Sequence, residues 1–336
     1  MNIKNSQNCT NYFLNFLKGL ACIGIVFIHV PFPNEFGIII KSISKYGVPI
    51  FYLTAGFFSF GKGVEIVRKR LFKIIRIFIL AYMIFFLLGS CQAYLNCNIG
   101  EWIKQVFEIK ALIKLILFCT IDFAIPLWYL IGQIEVYILW YFVVKCNFEK
   151  RAVRFIPLLF LTQLVLIIVC ETFEFSWFWK VNFLTSSFSW FILGYFIHSL
   201  DINTIYRIKN KSLIIFALIG AIITCMPVVI GFKIKFSQVG VIILSVSLFL
   251  FAVKNSNIRI CRPLEKIGEE LSVWVYIFHV PVSVIINFVF VKMKLSNTMW
   301  YSWILPILTV IVVISFSYIV NKAEIFFSKR PIVSIH

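Results

Sequence analysis

Apolar runs of about 15 to 22 residues recur along this whole chain, and the polar gaps between them stay within about 30 residues. A helix needs roughly 20 such residues to cross the ~30 Å hydrocarbon layer of a bilayer. No water is available there, so the backbone must satisfy its own hydrogen bonds, which helices do within one segment. The repeat therefore dictates an all-α polytopic membrane protein, read as a single integral-membrane domain over residues 1–336. A soluble domain is excluded by a chain that is 61% hydrophobic and only 14% charged.

Ten spans fit the pattern: 12–32, 43–60, 73–91, 124–145, 153–170, 181–199, 212–231, 237–253, 272–291 and 301–320. The first has no small-residue cleavage site, so it is read as a span and not a removable leader. The segment 102–121, WIKQVFEIKALIKLILFCTI, is apolar but spiked with lysines, and is expected to form an interfacial or re-entrant helix.

Loop charge sets the orientation. Lys and Arg outnumber Asp and Glu by 32 to 14, an excess that suits anionic lipid and gives no ground for a nucleic-acid partner. One side collects 21 basic residues, from Lys4 through the loops around Arg70, Arg151, Arg207 and Arg259 to Lys329 and Arg330, and the other collects 10. By the positive-inside rule both termini are expected in the cytoplasm, which ten spans permit. The nine cysteines are scattered without a CxxC pair and read as small hydrophobes. Cys91 and Cys97 flank one loop, where a disulfide would need geometry that their spacing does not supply. Four histidines without clustered carboxylates or thiols give no metal site.

A few polar residues interrupt the apolar pattern. In LKGLACIGIVFIHVPFP, Lys18 and His29 are eleven residues apart. Eleven residues advance a helix by about 16 Å and turn it about 20° past three full turns, so both side chains point the same way. Ionisable groups inside a span mark function by default, though a snorkelling lysine and a structural histidine remain the plain alternative. Arg70, Lys73 and Arg76 repeat every third residue where the third span begins. They read either as a cationic stripe for the phosphates of a cytoplasmic ligand or as a topology signal. The fourth span, IPLWYLIGQIEVYILW, brings Trp128, Gln133 and Glu135. Glu135 should face a wet cavity, a hydroxylated ligand, a histidine or a partner such as Lys18. In the ninth, Ser272, Tyr276 and His279 fall on one face.

Taken together, these residues resemble the acyltransferase 3 family of integral-membrane acyltransferases over nearly the whole chain. NYFLNFLKGLACIGIVFIHV is similar to its opening signature, in which a basic residue precedes a histidine by eleven positions. FYLTAGFF resembles its phenylalanine-rich stretch, RKRLFKIIRIFILAY its basic approach to the third span, LWYL the start of the fourth, and IGEELSVWVYIFHVPV its late G…S…Y..H element. Two positions depart: Lys18 stands where arginine is usual, and Lys73 interrupts the arginine pair, which keeps charge but loses bidentate geometry.

The resemblance implies a multi-pass protein of a bacterial inner or plasma membrane. It would move an acyl group, often acetyl, from cytoplasmic acetyl-CoA to a hydroxyl of a surface glycan, glycolipid or related carbohydrate. His29 would be the base and Glu135 its aid. Lys18, Arg70, Lys73 and Arg76 would hold the donor, and Gln133, Trp128, Tyr276 and His279 would contribute to the acceptor site. The rival expectation is a transporter or flippase for a lipid-linked sugar, which also needs polar residues at mid-membrane. No paired Gly- or Pro-interrupted spans in matching halves support it.

Overall fold

The computed structural model describes residues 10–180, 182–230 and 237–327. Lys4, Lys329, Arg330 and His336 lie outside them. The described chain is helical throughout its ordered elements. In chain order these are α1 (Tyr12–His29), α2 (Asn34–Ser44), α3 (Gly47–Phe57), α4 (Val64–Leu95), α5 (Ile99–Val106), α6 (Ile109–Phe118), α7 (Trp128–Lys145) and α8 (Glu149–Ala152). Then come α9 (Ile156–Thr172), α10 (Ser189–Ser199), α11 (Ile202–Arg207), α12 (Asn210–Ile230), α13 (Ser237–Lys254), α14 (Arg262–Lys266), α15 (Ser272–Lys292) and α16 (Met299–Phe327). Among the described residues nine helices are long and apolar enough to cross a membrane. The expected helix at 102–121 is two short pieces, α5 and α6, that bury no residue of their own and add no further span.

The chain divides into two compact units, residues 1–51 with 200–336, and residues 52–199. In the first unit, α1 begins where the Asn11 side chain caps the Leu14 amide at 2.8 Å and also donates to the Ala252 carbonyl at 3.2 Å. Arg259 stands over the Tyr12 ring at 3.7 Å, a cation–π contact that fixes the same end. α1 then lies against α14, the π-helical turn Ile267–Leu271 and α15. The contact is so close that glycine is required: a methyl at Gly268 would stand 1.9 Å from the Asn15 carbonyl oxygen. Cys22 and Val26 of α1 join Ile267, Leu271, Val275 and Val282 in one buried cluster, completed by Val313 of α16. The helices α12 and α13 form a hairpin whose backbones meet, with Gly240 set against the Thr224 amide.

In the second unit, Trp140, Tyr137 and Val136 of α7 pack with Phe188, Phe191 and Ile192 and with Val67 of α4. A short relay pins these helices. The Ser187 hydroxyl donates to the Tyr52 hydroxyl at 2.9 Å, which donates to the Tyr129 carbonyl at 2.9 Å. Cys91 and Cys97 are separate, exposed thiols.

The direction of α1 bears on the tenth span. A methyl on Gly268 would lie 2.9 Å from Lys18 Cβ, and the His29 ring lies 4.9 Å from that of His279. The two pairs are matched eleven residues apart in each strand of the contact, so α1 runs parallel to the helix through α15. Parallel neighbours cross the bilayer in one direction, which requires an odd number of crossings between them. The nine helices place six there. A seventh crossing fits the rod formed by the π turn Phe183–Phe188 running unbroken into α10, at the expected position 181–199, of which Val181 lies outside the described residues. At about 25 Å it falls just within the length that a span needs.

Candidate active site

Polar side chains gather in each unit, and each group has its own chemistry. In the first unit, α1 is an unbroken helix of 18 residues, so the register between Lys18 and His29 holds. Lys18 is half-buried, with its ammonium 3.3 Å from Asn15 Oδ1 and within electrostatic range of Glu269. His29 is the last residue of α1 and is exposed. Beside it, His279 is fully buried at 0% exposure. The His279 Nδ1 lies 2.6 Å from the Tyr276 carbonyl oxygen, and Tyr276 itself is half-buried. The one face expected for Ser272, Tyr276 and His279 is thus the face that, at His279, meets the end of α1.

In the second unit, α4 carries the basic residues, and they do not form the single stripe expected. Arg70 turns back to the end of α3, donating at 2.9 Å to Ser59 Oγ and at 3.0 Å to the Phe58 carbonyl. Ser59 in turn donates to the Ala55 carbonyl at 2.7 Å. Lys73 and Arg76 instead line a cavity of about 430 Å³ together with Arg68, Lys69 and Phe72. The reason is helical geometry. Each three-residue step falls about 60° short of a full turn, so Arg70 and Arg76 end about 120° apart. Lys69, Phe72, Lys73 and Arg76 follow the i, i+3, i+4, i+7 rule and share a face. That spacing was present in the sequence and identifies Lys69, which the three-residue reading passed over.

On α7, Trp128 is half-buried at the first position and Gln133 is buried. Glu135 is half-buried, and its Oε2 accepts the Cys119 thiol at 2.9 Å. Cys119 is buried and ends α6 in the left-handed region at φ 51. The Cys119 thiol is none of the partners expected for Glu135, because in the sequence it reads as a small hydrophobe.

Both histidines are positioned by regular helix, and the four cations of the cavity by one face of α4. The arrangement offers an exposed imidazole in one unit and a cavity lined by four cations in the other. A family model described as an acyltransferase domain matches residues 11–321. No curated protein and no solved structure matches the chain.

Proposed function

Since the chain belongs to the acyltransferase 3 family and is a membrane acyltransferase, we propose that it moves an acetyl group from cytoplasmic acetyl-CoA to a hydroxyl of a surface glycan, glycolipid or related carbohydrate. The acceptor oxygen attacks the thioester carbonyl, its O–H bond breaks, and His29 takes the proton. The C–S bond then breaks, and His29 returns the proton to the departing thiolate. The products are an ester and coenzyme A thiol, so atoms and charge balance. A positioned imidazole suits both proton transfers and contributes about 10² to 10⁴ in rate.

The donor's phosphates call for clustered cations. Arg68, Lys69, Lys73 and Arg76 supply four around one cavity, with Phe72 beside them as an apolar surface. Arg70 supports this group from the side, through its bonds to the end of α3. Lys18 is assigned to an anionic part of the donor. Glu135, with Gln133 and Trp128, is assigned to hydroxyls of the acceptor. Both termini are placed in the cytoplasm by the 21-to-10 division of basic residues, in a bacterial inner or plasma membrane.

The observation that carries the reading is the exposed His29 imidazole at the end of α1, set beside a second imidazole. The test uses purified full-length protein in detergent, acetyl-labelled acetyl-CoA and a glycolipid extract. Label should pass to the extract or to water, and His29→Gln should stop it. Label that stays in acetyl-CoA with folded protein, together with passage of a separately labelled lipid-linked sugar across sealed vesicles, would overturn the enzyme in favour of a transporter.

A further inference from the structure

His279 is more than a packing residue. A carbonyl oxygen can only accept, so the 2.6 Å contact with the Tyr276 carbonyl requires that His279 Nδ1 carry the proton. In the neutral ring Nε2 is then a bare acceptor. That nitrogen is buried and has no hydrogen-bond partner among the described residues. A buried acceptor left unsatisfied is destabilising, because it has lost its water without gaining a donor.

The ring at 4.9 Å belongs to His29. The charged group near His29 is Lys41 of α2, whose ammonium has donors only and cannot accept an imidazole N–H. We infer that His279 is the positioning residue of His29: its Nε2 accepts the His29 ring N–H, directly or through one water, as the catalytic cycle begins. The bond fixes the tautomer in which the remaining His29 nitrogen presents its lone pair on the exposed side. When that nitrogen takes the acceptor's hydroxyl proton, His29 becomes an imidazolium. The bond to His279 then becomes charge-assisted and stronger. No proton leaves the pair; it returns through His29 to the thiolate. The inference rests on the proposed role of His29 and deepens it.

Two substitutions separate this role from a structural one. In His279→Asn the amide nitrogen can still donate to the Tyr276 carbonyl, as Nδ1 does, but nothing occupies the place of Nε2. In His279→Gln an amide oxygen returns near Nε2. Both proteins are purified at full length, checked by thermal melting, and assayed for turnover of acetyl-CoA. His279→Asn should lower kcat by roughly 10- to 100-fold, by analogy with the loss of the hydrogen-bond partner that orients a metal-bound histidine, with KM for acetyl-CoA unchanged. His279→Gln should restore most of it. A second readout needs no turnover: the rate at which diethyl pyrocarbonate modifies His29, followed by mass spectrometry. It should slow by a similar factor in His279→Asn and recover in His279→Gln. Labelling decides the pairing even if wild-type protein turns over no acetyl-CoA, so failure of the enzymatic reading stays distinguishable. Unchanged labelling of His29 in His279→Asn, or equal losses in both variants, would overturn the inference.

Discussion

Arg70 and Ser59 are joined by a 2.9 Å hydrogen bond, and that bond separates Arg70 from the other cations on its helix. The arginine closes the end of α3, while Arg68, Lys69, Lys73 and Arg76 line the neighbouring cavity.

Substitutions should divide along the same line. Arg70→Ala removes bonds made by a charged donor, each worth about 1.5 to 3 kcal/mol, and should chiefly lower the melting temperature. Arg68→Gln with Arg76→Gln should leave melting nearly unchanged and weaken acetyl-CoA binding at least tenfold, from the same energies applied to phosphate contacts. Calorimetric titration with acetyl-CoA checks both. Equal donor affinity in the double variant would reduce these residues to topology signals.

His29→Ala and His29→Gln should both insert and fold, because His29 is exposed and terminates its helix. Turnover should fall by about 10² to 10⁴ in each, since glutamine keeps a hydrogen bond but has no basicity. Near-normal turnover in His29→Gln would make the histidine structural.

Native thiols report the orientation without engineered tags. Cys91, Cys97 and Cys146 are exposed. With the basic loops inside, Cys146 lies on the cytoplasmic side, and Cys91 and Cys97 lie on the opposite one. A membrane-impermeant maleimide added to intact cells should label Cys91 and Cys97 and spare Cys146 until the cells are opened. Labelling in the reverse order would invert the whole frame.

Gly268→Ala tests the seat of α1. Its new methyl would collide with the Asn15 carbonyl, which is backbone and cannot swing aside. Overpacking of this kind costs about 1 to 3 kcal/mol, and the shift should disturb the His29–His279 pair as well. Gly100→Ala is the control, since nothing lies within 4 Å of the added methyl. Thermal melting and turnover should fall together in the first variant and hold in the second.

The fold class and the helix positions were legible because lipid imposes a length and a polarity that any reading can find. The register of Lys18 and His29 was legible because α1 is a straight helix. The pairing of His29 with His279 was not, because periodicity orients a face without naming what it meets. The stripe at Arg70, Lys73 and Arg76 misled for a sharper reason: a period of three imitates a helix over one turn and drifts off it over two. The Cys119 bond to Glu135 was hidden because a thiol in an apolar run looks the same whether or not it donates.

The parallel seat of α1 has a consequence for how the molecule is made. α1 leaves the ribosome before the stretch Gly268 to His279, which follows roughly 250 residues later. At about 5 to 20 residues per second, that is a wait on the order of 12 to 50 s. For all of it the face of α1 that carries Lys18 lacks the turn at Gly268 that seats against it. An ionisable group facing lipid is a costly defect, and a chain cut short before α14 would keep that defect permanently. The pair of His29 and His279 therefore cannot form until synthesis has passed residue 279.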